Sequence, residues 1–400
     1  MRCGRHPAPP HPPPCPGRKG IAYRPVHDGS GPTRTPAEGE GRILTTAQPA
    51  GIKDVARAAG VSVGTVSNVL NRPETVAVPT RGRVLSAISR LGYVRSDSAR
   101  QLRAGRSRMI ALLVLDMGNP FFVEVARGAE RAARAAGLGV MLCNSGQSPA
   151  EEAGYLGLFA EQRVRGVLLT PADATGRTVE DFRRHGIPFV LVDRVAEGRD
   201  GCSVSVDDVT GGALAVRHLV DAGHRDIAFV GGPARLQQVK DRRDGARTAL
   251  AEAGLEPGAL KEIPTGRLDV AAGRDAGARL LGLPEAHRPT AVFCANDLLA
   301  LGVLQAMYAA GVGVPDRLAI VGYDDIEFAA AAAVPLTSVR RPAPTMGAMA
   351  TGLLLEETGT ATAPDPGHEH EHQHQHQHQR VVLRPELVVR RSTLLPPRAG

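Results

Sequence analysis

The sequence has no tryptophan, and phenylalanine and tyrosine together make up only 3% of its 400 residues. Few large rings are therefore on hand to stack against a ligand. The five cysteines, Cys3, Cys15, Cys143, Cys202 and Cys294, stand apart with no C-x-x-C pair. That spacing argues against a disulfide framework or a zinc module and leaves small buried thiols as the expectation. No apolar stretch approaches the roughly 20 residues that would span a bilayer. The opening residues, rich in proline and arginine, lack the apolar segment of a signal peptide, so a cytoplasmic location without membrane contact is expected. No G-x-G-x-x-G or G-x-x-x-x-G-K-[ST] string occurs, and no Ser, His and Asp set stands in a nucleophile elbow. An enzyme is not expected, and neither catalytic residues, a resident metal nor a cofactor is assigned.

What is present is unevenly placed charge. The formal net charge is +7, yet eleven Lys or Arg face only three acids between Ile52 and Arg108, and the chain beyond Arg108 is net acidic. Neutralising phosphates releases their counterions, so a basic segment of this kind suits a phosphate polymer, although a solvated tail has the same composition.

The length suits two or three domains. Residues 1–50, dense in Pro, Gly and Arg, carry no helical or strand period and read as a disordered extension. Ile52, Val55, Ala56 and Ala59 recur at helical spacing, and Gly60 supplies a left-handed stop. Ser62 is placed to cap a second helix, Val63 to Asn71, with Val66, Val69 and Leu70 facing inward. A third helix begins near Pro79 and runs through Val84, Leu85, Ile88 and Leu91 to Gly92. After Arg108 apolar runs alternate with Ala-rich amphipathic segments: Met109–Leu115, Gly139–Cys143, Gly166–Leu169, Phe189–Val192, Ile227–Val230, Ala291–Cys294 and Leu318–Val321. This is the rhythm of a doubly wound α/β fold, long enough for two lobes with a ligand cleft at the carboxyl ends of their strands. His368 to Gln379 alternates His with Glu and then Gln, as a solvated insertion would.

The string I-K-D-V-A-R-A-A-G-V-S-V-G-T-V-S-N-V-L-N from Ile52 resembles the helix-turn-helix of the LacI/GalR family of regulators. The likeness continues through R-S-D-S-A-R-Q-L-R-A-G at Arg95, D-M-G-N-P-F-F at Asp116, G-H-R-D-I-A-F-V-G-G at Gly223 and A-I-V-G-Y-D-D at Ala319. It implies a small all-α helix-turn-helix domain over residues 51–95, a hinge over 96–107, and a two-lobed periplasmic-binding-protein-like α/β core over 108–393. Lobe N would comprise about 108–206 and 337–358, lobe C about 207–336 and 380–393, with a low-complexity His/Gln insert at 364–379.

A helix entering the major groove needs short or polar residues on its outer face, and Val63, Gly64 and Asn68 occupy that face. The resemblance implies that these three read bases, with Asn68 the hydrogen-bonding candidate for adenine. Ser62, Thr65, Ser67 and Asn71 suit phosphates, Ser62 serving equally well as a plain helix cap. The hinge segment Ser98 to Ala104 is too short to be a stable helix alone. In the family it folds in the minor groove, where a leucine wedges between bases, so Leu102 is expected as the wedge with Arg100 beside it. Many relatives carry Ser where Ala77 stands, so a cap is expected to be missing at the third helix, and Ser96 replaces the family's frequent Asn at the cap of the hinge.

In the core the resemblance assigns effector contacts to Asn119, Phe121 and Phe122 after the first strand. It also assigns them to Asp207, to Arg242 as an oxygen-clamping guanidinium, and to Asp297 as an acceptor of sugar hydroxyls. Each of these polar residues has a plainer alternative as a helix cap or surface ion pair. The partners implied are double-stranded operator DNA, a small-molecule effector such as a sugar, and a second copy of the chain. Two other readings stay open: a solute-binding protein without DNA function, and a metal-responsive regulator acting through the His-rich insert.

Overall fold

The computed structural model describes residues 50–93, 107–172, 177–197, 201–256, 259–359 and 378–393. The extension 1–49, the hinge residues Arg100 and Leu102, and all of the insert before His378 lie outside the described residues. No helix among the described residues is long and apolar enough to cross a membrane. The chain divides into two units at Arg95.

The N-terminal unit holds α1 (Ile52–Ala59), α2 (Val63–Asn71) and α3 (Val78–Leu91). Val55, Ala56, Ala59, Val66, Val69, Val84 and Ala87 are buried together as its core. The turn between α1 and α2 depends on Gly60, whose φ of 65° lies in the left-handed region that glycine enters without a Cβ penalty. Its position lets the Val61 N–H donate to the Ala56 carbonyl at 3.0 Å and satisfy a helix-end acceptor. Leu85 departs from the sequence expectation, being exposed while Ala87 is buried. The inward stripe is 84, 87, 88 and 91, and residue 85 lies about 100° around the helix from 84. Ala77 does occupy the cap position of α3 and provides no side-chain hydrogen bond. Ala77→Ser is accordingly expected to stabilise this unit by about 1 kcal/mol, read as a higher denaturation midpoint of its transition in the full chain.

The larger unit contains two six-stranded sheets. The first lobe is built from β1 (Met109–Val114), α4 (Pro120–Ala135), β2 (Gly139–Asn144), α5 (Pro149–Glu161), β3 (Val167–Leu169), α6 (Arg177–Arg184), β4 (Phe189–Val192) and β5 (Cys202–Val206). The second is built from α7 (Asp208–Asp221), β6 (Ile227–Gly231), α8 (Gln237–Glu252), β7 (Leu260–Pro264), α9 (Val270–Leu281), β8 (Ala291–Cys294), α10 (Asp297–Ala309), β9 (Ala319–Asp324), α11 (Glu327–Ala331) and β10 (Thr337–Arg340). The chain then returns to the first lobe with α12 (Ala343–Glu357) and β11 (Arg380–Leu383), and ends in the second with β12 (Glu386–Val388). Strand order is β11-β5-β4-β3-β1-β2 in one sheet and β12-β10-β9-β8-β6-β7 in the other. Among the described residues every pairing is parallel except that of β10 with β12. Parallel strands buried on both faces explain why Ile110 to Val114 and Ala291 to Ala295 are uninterrupted apolar runs.

Two expected lobe boundaries are corrected. Thr337–Arg340 was expected in lobe N but forms β10 of the second sheet, paired to β9 and β12, and only the helix after it packs on the first lobe. Arg380–Leu383 was expected in lobe C but pairs with β5 of the first sheet. The chain therefore crosses between the lobes three times, at 206–208, 340–343 and 383–386, with the Asp207 N–H donating to the Leu383 carbonyl at 3.0 Å. Glycine permits the close helix packing of the first lobe: a Cβ on Gly128 would fall 1.9 Å from the Pro344 carbonyl oxygen, and one on Gly347 would fall 2.0 Å from that of Val125.

Candidate DNA-reading face and effector cleft

The face of α2 follows from its amphipathic sequence. With Val66 and Val69 buried, the residues at 63, 64, 67, 68 and 71 fall on the opposite stripe. Val63 is 42% exposed, and Gly64, Asn68 and Asn71 are exposed as well. Ser62 caps the helix, its Oγ accepting the Thr65 N–H at 3.0 Å and lying 2.9 Å from Thr65 Oγ1. Asn71 Nδ2 donates to the Ser67 carbonyl at 2.8 Å and to Ser67 Oγ at 3.2 Å. The described part of this unit carries six Lys or Arg and two acids, while the stripe itself is uncharged. An uncharged stripe can approach base edges while the surrounding cations meet phosphates.

In the core, the carboxyl ends of β1, β4, β6, β8, β9 and β10 converge on one cavity between the lobes. Its volume is about 20 Å³, room for about one water. The space is small because side chains from both lobes meet across it. Asn119 Nδ2 donates to Asp324 Oδ2 at 2.8 Å, Gln238 Nε2 to Asp193 Oδ2 at 3.1 Å, and the Leu268 N–H to Gln147 Oε1 at 3.3 Å. Arg341, on the second crossover, lies between Asp193 of the first lobe and Asp324 of the second and pairs with both. Its guanidinium also covers the Phe121 ring, 3.4 Å from the centroid. Burial pushes the Asp193 carboxyl up to about 6 against the pull of Arg341, with the nearby Asp208 adding to the rise.

Backbone geometry marks the same place. Gln147, Asp193 and Asp324 line the cavity with φ of 62°, 63° and 108°, left-handed values that a side chain makes costly. Strain of this kind persists where surrounding structure over-determines it, typically at ligand clamps.

The residues expected from sequence are placed as follows. Arg242 lines the cavity at 3% exposure. Its Nε donates to Asp208 Oδ1 at 2.9 Å, its Nη1 donates to the Ala295 carbonyl at 2.7 Å, and its plane lies over Tyr323. Its Nη2 is buried with no hydrogen-bond partner among the described residues. Asn119 also lines the cavity, and its Oδ1 caps α4 by accepting the Phe121 N–H at 3.0 Å. Phe122 forms part of the wall.

Three residues expected at the effector do not line this cavity. Phe121 does not face the cavity, because the Arg341 guanidinium is stacked on its ring. Asp207 is the cap of α7, its Oδ1 accepting the Thr210 N–H at 2.9 Å and its Oδ2 the Thr210 hydroxyl at 2.7 Å; the adjacent Asp208 is the one that reaches Arg242. Asp297 points into the second lobe, where Oδ1 accepts the Ser338 hydroxyl at 2.7 Å and Oδ2 the Ile326 N–H at 2.9 Å. The cavity instead meets Asn296, one residue earlier, whose Oδ1 caps α10 and whose Nδ2 donates to the Leu268 carbonyl at 3.1 Å. Asp193, Asn296, Asp324 and Arg341 were missed by sequence reasoning. The available signal was their position directly after a strand, where open α/β sheets place ligand groups.

Burial, with Asp324 adding like charge, raises the Asp297 carboxyl well above its ordinary value. A carboxyl raised on folding favours the folded state below its ordinary range, and that contribution is lost as pH climbs through the raised value. Asp297→Asn is expected to remove this loss: its Oδ1 can still accept from Ile326 while its Nδ2 donates to Ser338. Thermal unfolding of the core should therefore weaken less from pH 5 to pH 8 in the variant than in the wild type.

Fold and site together define a ligand-sensing α/β core attached to a helix-turn-helix. Residues 51–96 match the bacterial regulatory proteins of the lacI family, and residues 216–393 match the periplasmic binding protein-like domain. The HTH-type transcriptional repressor PurR of Vibrio campbellii is 37% identical over 308 residues, 76% of this chain and 91% of the relative. The ribose operon repressor of Escherichia coli is 36% identical over 305 residues, 76% of this chain and 92% of the relative. The solved complex of the transcriptional regulator CelR with cellobiose superposes with a TM-score of 0.62 at 31% identity, covering 86% of this chain and 99% of that one. The protein belongs to the lacI family of bacterial regulators and is a sequence-specific DNA-binding transcriptional regulator.

Proposed function

We propose that the protein is a cytoplasmic, homodimeric repressor whose hold on a pseudo-palindromic operator is set by a sugar or sugar derivative bound between its lobes, with no catalytic step. The observation that carries the DNA half is the exposed stripe of Val63, Gly64, Asn68 and Asn71 on a helix whose other side is the domain core. Val63, Gly64 and Asn68 read base edges, and Ser62, Thr65, Ser67 and Asn71 position the helix on phosphates. Arg100 and Leu102 act in the minor groove between the half-sites.

The ligand half is supported by polar groups from both lobes, namely Asp193, Gln238, Asn296, Asp324 and Arg341, around an Arg242 with an unused donor. Carboxylates and amides set beside one aromatic wall, Phe122, suit a polyhydroxylated ring better than an apolar one. Two of the relatives agree in kind, one being a ribose operon repressor and the other a cellobiose complex. A sugar entering the cleft exchanges its hydroxyls for the Arg341 pairings that now join the lobes, and so changes the angle between them. Operator affinity follows by differential binding to the two arrangements.

Fluorescence anisotropy of a labelled operator, titrated with protein over a salt series with and without candidate sugars, tests this. Affinity should fall steeply with salt, and one sugar should weaken operator binding at fixed salt. A flat salt response, or equal affinity with every sugar tried, contradicts it.

A further inference from the structure

Three side chains at the amino end of the first sheet, remote from the strand ends that form the cleft, stand together without a part in DNA or sugar binding. Cys202 opens β5, Glu357 ends α12, and His378 lies just ahead of β11. Their ligand atoms all fall within 4.8 Å of one another. Cys202 Sγ is 3.1 Å from Glu357 Oε1, and His378 Nδ1 is 3.2 Å from the same oxygen. Ordinary secondary structure holds them there: β11 pairs with β5 with Arg380 opposite Ser203, and the Ser203 N–H donates to the Gln379 carbonyl at 2.9 Å.

We propose that Cys202, Glu357 and His378 bind one divalent transition-metal ion of the zinc class. A tetrahedral centre with metal–ligand bonds of roughly 2.0–2.3 Å keeps neighbouring ligand atoms on the order of 3.5 Å apart, close to the 3.1 and 3.2 Å that already separate Glu357 Oε1 from the other two. Thiolate, imidazole and carboxylate form a mixed, borderline-soft set that favours zinc, cobalt or nickel over magnesium or calcium. Cys202 is buried, Glu357 half-buried and His378 43% exposed, so the cluster has one open side for entry and for a water as fourth ligand. Burial, with Glu357 and Glu356 adding negative charge, pushes the Cys202 thiol up to about 11 against the Gln379 N–H. A cation placed among these groups reverses that balance and binds by releasing the thiol proton. The bound ion would tie β5, α12 and the returning strand β11, which leads into the third crossover. His378 is also the last of six histidines alternating from His368, but the earlier five are not part of the proposed site.

The test is cobalt titration of the metal-free full-length protein, followed by its absorption. A thiolate-to-cobalt charge-transfer band with tetrahedral visible bands should appear and be displaced by zinc. In a chain lacking residues 368–376 the band should persist and saturate at one ion per chain. Cys202→Ser should abolish the band while leaving the thermal unfolding of the metal-free protein close to wild type. Glu357→Gln and His378→Gln should each weaken cobalt binding by on the order of 10- to 100-fold. The proposal is overturned if the wild type binds cobalt without a thiolate band. It is equally overturned if the band survives Cys202→Ser or vanishes on deletion of 368–376.

Discussion

Replacing Arg242 with methionine is expected to lower the unfolding temperature of the core by on the order of 10 °C and to abolish the response of operator binding to sugar. Arg242 is almost wholly buried, and its only ionic partner within 4 Å among the described residues, Asp208, is also buried. Methionine matches much of the stem volume but removes the ion-pair partner of the buried Asp208 carboxylate, a loss of about 3–5 kcal/mol. Asp208→Asn added to the same chain should recover most of the lost stability, since it removes the orphaned charge. It should not recover the sugar response, because the guanidinium fork is still missing. Arg242→Lys should fall between the two. Operator affinity in the absence of sugar should stay near wild type in all three variants. A single variant that keeps both its melting temperature and its sugar response removes Arg242 from the effector site.

Gly64→Leu is expected to leave the helix-turn-helix folded and to reduce operator binding to its non-specific level, on the order of 10³-fold or more weaker. A Cβ at Gly64 meets only Ser62 Oγ, at 3.5 Å, an ordinary contact. Leucine is moreover the better helix former by up to about 1 kcal/mol. The added side chain instead stands on the stripe between Val63 and Asn68, where its bulk keeps the helix away from the base edges. Asn68→Ala is the milder companion. It removes one hydrogen-bonding group and should cost about 1–3 kcal/mol, confined to the preference at a single base pair. The salt slope of the Asn68 variant should match wild type, because phosphate contacts are unchanged.

Much of the N-terminal unit was legible because capping, helical period and the glycine stop all point the same way, as at Ser62, Val66, Val69 and Gly60. Leu85 misled because one apolar residue beside Val84 widens the apparent stripe without belonging to it. In the core, apolar runs such as Met109–Leu115 announced strands. Cys202–Val206 and Thr337–Arg340 did not, since each carries two hydroxyl residues that interrupt the apolar run, and the partners of Ser203 and Thr337 come from tertiary structure. Ser203 Oγ accepts the Ala196 N–H at 3.0 Å, and Thr337 Oγ1 lies 2.7 Å from Thr393 Oγ1. The cleft was half legible for a related reason. Arg242 and Asn119 sit in motifs with fixed local spacing, whereas Arg341 matters because it converges with Asp193, 148 residues away in the chain, and with Asp324. Sequence alone does not separate Asp297 from Asn296, but Asn296 is the extended cap residue and Asp297 the first helical one, so the first meets the cavity and the second turns into the lobe.

The most direct test of the account is selection from a random pool of duplex DNA by the purified full-length protein, repeated with the Asn68→Ala variant. The account predicts that the wild type enriches a two-fold symmetric motif and that the variant enriches the same motif with the preference lost at one base pair in each half-site. Enrichment of no motif by the wild type, or an identical motif from the variant, contradicts the assignment of sequence reading to this face of α2.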